Sequence, residues 1–197
     1  FLGTLTALLG VGSQAFQLQL QPLIGVGVLS NKMAGWTQFS SHVDELLQQE
    51  FAESPLLLTD NYYTLAQVEF AGLTRQGFTL DEEKAVRDGR ITQYQIWQKD
   101  RVGLEPVAAS EYLFIAEDST LDTAAKHDLL MNLCARTDRL THLGELNLFN
   151  GDKRFSFYRG VALHSTYSLE QIQTSACPFP AIAWIDTPLR GAELSGI

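Results

Sequence analysis

Basic residues are scarce in this chain. Lys and Arg number 14 against 23 Asp and Glu, for a formal net charge of −9 over 197 residues. A nucleic-acid binder needs a positive footprint, so nucleic acid is excluded as a partner. Cysteine is scarcer still. Cys134 and Cys177 are the only two, too few for a disulfide-rich scaffold or a Cys-built zinc site. Whether the two pair is left open by the sequence. No histidine stands at HxxxH or HExxH spacing, and neither a GxSxG elbow nor a P-loop is present. The reading therefore assigns no metal, no cofactor and no catalytic residue. Internal repeats and low-complexity tracts are also lacking.

Charge is missing altogether from Phe1 to Asn31. The opening FLGTLTALLGVG is apolar, yet Phe1 to Val11 falls short of the about 20 residues that cross a membrane. Two readings stay open: the last part of a membrane helix, or a segment packed on the domain. A chain opening on Phe1 reads as a fragment or a processed product. Gly10-Val11-Gly12-Ser13-Gln14-Ala15 also fits the GxGxxA of dinucleotide folds. That motif needs a strand before it, a helix after it and an acid about 20 residues on. No acid occurs there, and Pro22 and Gly25 interrupt the helix, so a nucleotide-using α/β enzyme ranks last among the function classes.

What the chain does have is enough apolar material, 45% against 19% charged, to bury a core. Trp36, Phe39, Val43, Leu46 and Leu47 recur at helical spacing and predict an amphipathic helix over 35–51, with Asp44, Glu45 and Gln48 on its wet side. Leu56-Leu57-Leu58 reads as a strand buried on both faces. A second helix follows from Tyr62 to about Leu73, with Leu65, Val68 and Phe70 among its apolar positions. Thr79 to Asp88 reads as a charged loop or short turn. Ile91 to Trp97 is rich in β-formers and reads as a strand; Glu111 to Ala116 reads as another. Ser119-x-x-Asp122 reads as a helix start capped by the serine hydroxyl, with the helix running to about Ala135. Asn150-Gly151 sits between two apolar runs, the signature of a hairpin. The expected fold class is α/β, a small layered sheet with flanking helices, a parallel βαβ start and an antiparallel hairpin near the end. The expected domains are an uncharged membrane-proximal segment over 1–34, a soluble α/β domain over 35–165 and an extended tail or linker over 166–197.

Two places suit ligand binding. Asp60, Tyr62 and Tyr63 follow the carboxyl end of a buried strand, where open α/β sheets hold their ligands; Asp60 or Asn61 serves equally as a helix cap, the commoner role. Gln93, Tyr94 and Trp97 offer amide and aromatic groups that fit a sugar. On a strand, Gln93, Gln95 and Trp97 share one face and Tyr94 takes the other. Ordinary core aromatics are the commoner identity of Tyr94 and Trp97. Cys134 reads as a small buried hydrophobe, and His127-Asp128 and Asp81-Glu82-Glu83 as solvated faces.

These motifs, taken in order, resemble a known group. Gly35-Trp36 opening a helix, Asp60-x-Tyr62 with Phe70 eight residues on, Gln93-Tyr94-x-x-Trp97 after Gly89-x-Ile91, and Phe157-Tyr158-Arg159-Gly160 are similar to the C-terminal soluble region of bacterial relatives of the dolichyl-phosphate-mannose protein mannosyltransferases. The resemblance covers about 35–160. Those proteins are membrane glycosyltransferases that take a sugar from a polyprenyl-phosphate carrier. Between Tyr94 and Trp97 the relatives often carry an acid, where this chain has Gln95. The resemblance implies a non-catalytic extracytoplasmic accessory domain on the periplasmic face of a bacterial inner membrane, with catalytic acids on a part outside this chain. Its partners are then the membrane portion of the same protein and a glycan or polyprenyl-linked sugar. A free-standing carbohydrate- or partner-binding module is the alternative.

Overall fold

The computed structural model describes residues 2–15, 34–74 and 76–165. The expected tail lies outside them, as does most of the segment joining the uncharged head to the domain. The head itself forms helix α1 (Leu2–Ala15). Gly10 to Ala15 are therefore turns of one helix. The described residues before those glycines are helix, not strand, and no new helix starts at them, which removes the geometry a dinucleotide loop requires. Leu5, Leu8, Leu9 and Val11 of α1 are exposed. Among the described residues, no helix is long and apolar enough to cross a membrane.

The domain is α/β, built on one mixed sheet of five strands in the order β2-β1-β3-β5-β4. Strands β1 (Leu56–Thr59), β2 (Gly77–Thr79) and β3 (Ala109–Ala116) run parallel. Strands β4 (Thr137–Leu148) and β5 (Lys153–Leu163) form a hairpin whose β5 pairs antiparallel with β3. The Asn-Gly signal is answered at its tip, where Asn150 and Gly151 both adopt positive φ, 57° and 93°. Strand β2 was not anticipated; three residues are too few to show a pattern.

Strand alternation sorts the core into two layers. Leu57, Leu113, Ile115, Phe155 and Phe157 face one side, where α2 (Trp36–Glu50) and α3 (Tyr62–Phe70) cover them with Phe39, Val43 and Val68. Leu56, Leu58, Tyr112, Phe114 and Tyr158 face the other, covered by Leu104 and by Leu130, Leu133 and Cys134 of α7 (Thr123–Cys134). A one-residue slip of β1 or β3 exchanges these faces, so the register is strongly held. Gly160 lies opposite Tyr112 because a Cβ there meets the Tyr112 ring at 2.0 Å. The Tyr112 hydroxyl then lies 2.7 Å from Thr137 Oγ1.

Three local expectations change. The segment read as a strand is helix α5 (Ile91–Ile96), between α4 (Glu83–Arg87) and α6 (Arg101–Leu104) in the crossover from β2 to β3. Its β-forming composition records a preference for packing more than a backbone preference, and helical coiling buries Tyr94. Phe70, read as inward, is 91% exposed at the end of α3. The cap of α7 is Asp122, which accepts from the Ala125 backbone N–H at 2.8 Å; Ser119 instead donates to Glu117 Oε1 at 3.3 Å. Cys134 is buried, as expected of a small hydrophobe, and is disulfide-bonded; Cys177 lies outside the described residues.

Candidate functional site

The carboxyl ends of β1 and β3 lie side by side, because Thr59 pairs with Ile115. The next residues on each strand are therefore neighbours. Asp60 and Asn61 follow β1, and Glu117 follows β3. All three are buried. Asn61 caps α3, its Oδ1 accepting from the Thr64 backbone N–H at 2.8 Å. Its amide donates to Asp60 Oδ1 at 2.9 Å and to Glu117 Oε2 at 3.4 Å. Of the two candidate caps, Asn61 takes that role. Asp60 is only 4% exposed. Burial, with the Glu117 carboxylate adding to it, raises the Asp60 carboxyl from 3.8 to about 7; hydrogen bonds from Glu117 backbone and Asn61 oppose the rise.

Tyr63 roofs this floor. Its hydroxyl accepts from Lys84 Nζ at 2.9 Å and lies 3.2 Å from Thr120 Oγ1. Burial, followed by the charge of Glu117, holds its phenol far above the usual range. On the neighbouring side, Lys153 is buried at the start of β5. Its Nζ donates to the Ala34 carbonyl at 3.0 Å and lies 3.4 Å from the Trp36 ring centre, a cation–π contact. Burial lowers this amine from 10.5 to about 8, against the pull of Glu117. Further along, Lys126 pairs with Asp118 at 2.6 Å and donates to Ser156 at 3.0 Å.

Beside the floor opens a groove of about 620 Å³ between α3 and α5. Five of the six residues singled out from sequence line it: Tyr62, Tyr63, Gln93, Tyr94 and Trp97. Asp60 does not; it belongs to the buried floor. Gln93 and Trp97 share a face through i,i+4 helical spacing, with Trp97 closing the last turn of α5. Gln95 turns away and lines a separate depression with Gln98, so the shared strand face of Gln93, Gln95 and Trp97 does not form.

The groove wall is an aromatic chain. Tyr62 and Tyr63 meet edge to face at 5.6 Å, Tyr62 and Tyr94 lie at 5.9 Å, and Tyr94 and Trp97 meet at 5.7 Å. The Tyr94 hydroxyl donates to the Tyr62 carbonyl at 2.8 Å, which locks α5 onto α3. Burial pushes that phenol up to about 12. Trp97 keeps 52% of its surface exposed. The groove thus offers aromatic surface, the Gln67 and Gln93 amides and the Arg90 side chain. None of these is a nucleophile held by a base, and among the described residues no group of three or more His, Cys, Asp or Glu is placed to hold a metal.

Sequence reasoning passed over Glu117, Lys153, Gln67 and Arg90. Glu117 was within reach, since the rule that selected Asp60 at the end of β1 applies equally at the end of β3. Gln67 stands one helical turn beyond Tyr63, and Arg90 immediately precedes the segment taken for a strand. Lys153 left no signal, because a lysine in a hairpin ordinarily faces water. Comparison with known protein families, characterised proteins and solved structures finds no match to this chain.

Proposed function

We propose that this chain is a non-catalytic extracytoplasmic accessory domain of a bacterial membrane glycosyltransferase that draws its sugar from a polyprenyl-phosphate carrier. It sits on the periplasmic face of the inner membrane and works by contact with the membrane portion of the same protein. The observation that carries this reading is α1, a helix with no charged residue whose Leu5, Leu8, Leu9 and Val11 stand uncovered. Uncovered leucines on a helix of this kind suit an apolar surround. One further fact supports it: the bonded state of Cys134 is the one an oxidising compartment favours. The groove also favours a second reading, a carbohydrate-binding module acting on its own.

Flotation of the chain with phospholipid vesicles tests the proposal. The chain is expected to float, and a Leu5→Asp/Leu9→Asp variant to stay in the aqueous fraction with its fold unchanged by circular dichroism. A parent chain that stays aqueous overturns the membrane reading and leaves the free-standing module. Measurable turnover of a polyprenyl-phosphate hexose by the chain alone overturns the non-catalytic one.

A further inference from the structure

Three features converge on Cys134 at the end of α7. The first is covalent. Cys134 is disulfide-bonded, no cysteine is free among the described residues, and the chain holds one other, Cys177. The second is the point where the chain leaves the sheet. Past the end of β5 the His164 backbone N–H donates to the Arg136 carbonyl at 2.7 Å, and Arg136 Nε donates to the His164 carbonyl at 2.8 Å. His164 is thus clamped to a residue two positions past Cys134. The third is a recess between α6 and α7, lined by Leu80, Leu104, Leu129 and Leu133 with Arg136 among them. Leu133 and Arg136 flank Cys134 in the chain. Leu129 is only half-buried, so the lining still has apolar surface to withdraw from water.

We infer that Cys134 is joined to Cys177 and that the segment behind this bond, Pro178-Phe179-Pro180, seats the Phe179 ring on the leucines of the recess. A disulfide keeps its two Cα atoms within about 7 Å of each other. Cys177 stands thirteen positions past His164, so the chain departs beside Arg136 and is brought back to nearly the same point. Closing a loop of that length costs little more than closing a shorter one. Phe179 is two residues beyond the bond, a reach of at most about 7 Å, and Leu133 is the immediate neighbour of Cys134. The two prolines carry no backbone N–H to satisfy and bias Cys177 and Phe179 to extended backbone. Such a segment crosses an apolar surface with few donors to strand and little freedom left to lose. From Gln171 to Ile185 the chain bears no charge, which suits an apolar seat. The tail is then a covalent strap over α6 and α7 in place of a free linker. The function proposed above is not needed for either step.

Tryptic digestion of the full chain without reductant tests the bond. Peptides 127–136 and 160–190 are expected as one linked species by mass spectrometry, parted by reduction. Alkylation of both thiols in the unreduced, unfolded chain, or linkage of 127–136 to a second copy of itself, overturns the pairing. The seat is tested by NMR on chain labelled at its leucine methyls. Contacts from an aromatic ring to the Leu129 and Leu133 methyls are expected in the oxidised chain, and Phe179→Ala should remove them. Their absence, or their survival in Phe179→Ala, overturns the seat while leaving the bond to the peptide map. Cys177→Ser leaves the buried Cys134 in place and so spares the core. It should lower the urea midpoint by about 1 M, and reductant should lower the parent to the same value and leave the variant unmoved. A midpoint indifferent to both changes overturns the strap.

Discussion

The polar floor and the aromatic groove share Tyr63 and are built on opposite terms. In the floor, Asp60, Asn61 and Glu117 are buried and joined by the Asn61 amide, and Lys153 is sealed against Trp36 and Ala34. In the groove, Trp97 is half open and Arg90 is exposed. A buried polar group must find its partners at folding, because water is no longer there to serve it. An exposed one can wait for a ligand. The difference separates the two regions physically: the floor holds the more perturbed groups, with partners supplied from within the chain, and the groove presents its side chains to solvent. Perturbed titration alone points to the floor, since structural networks shift pKa values as readily as active sites do.

Substitutions separate the two. The largest effect is expected at Lys153. Lys153→Ala removes a buried cation, its bond to the Ala34 carbonyl and its contact with Trp36, and leaves Glu117 without its compensating charge. The loss should be about 3 kcal/mol in urea unfolding, while the Trp97 indole N–H signal in the NMR spectrum, measured where the variant is folded, stays in place. A loss below about 1 kcal/mol erases the contrast between floor and groove.

Next comes the pH response of Asp60. Its carboxyl holds a proton up to about pH 7 in the folded chain, against 3.8 when unfolded. Between those values the folded state binds more protons, so stability is greatest at the acid end and declines as pH rises through about 7. The slope should reach up to about 1.4 kcal/mol per pH unit, and Asp60→Asn should flatten it. Lys153 acts oppositely in the next window. Its folded value is about 8 against 10.5 unfolded, so the unfolded state holds the extra proton there and stability recovers as pH rises from about 8 towards 10.5. Denaturation midpoints that do not decline between pH 5 and 7, or a decline untouched by Asp60→Asn, refute the assignment.

Tyr63 belongs to both regions and should show an intermediate effect. Tyr63→Phe keeps the ring in the groove and deletes the hydroxyl that takes Lys84 and meets Thr120. A loss of about 1 kcal/mol by thermal unfolding is expected, with little change in the Trp97 indole signal. The smallest effect on stability is expected at Trp97. Trp97→Ala should move the unfolding free energy by about 0.5 kcal/mol or less, as exposed substitutions do. Should Trp97→Ala unfold the chain, Trp97 is a core residue and the contrast with the floor is lost.

Much of the fold was legible along the chain, for identifiable reasons. The apolar spacing from Trp36 to Leu47, the continuous run Leu56 to Leu58 and the Asn150-Gly151 turn each carry their own local signal, and each forms the element it implies. The failures share a cause. Ile91 to Trp97 has the composition of a strand, but its conformation is decided by Tyr94 docking on Tyr62 from 32 residues away. Phe70 has the spacing of a core residue and stays exposed at the end of its helix. The groove residues could be named as candidates from type alone, yet their convergence depends on α5 being a helix.

The sequence by itself determined an α/β sheet with a hairpin and a net charge of −9. Composition, periodicity and turn chemistry act over a few residues and need no distant partner. Only the tertiary structure decided that Asp60 is sealed with Glu117, that Lys153 lies against Trp36, and that Arg90 and Trp97 line one groove. Those facts are about which groups meet and which are kept from water, and residues far apart along a chain acquire such relations only when the sheet brings their strands together.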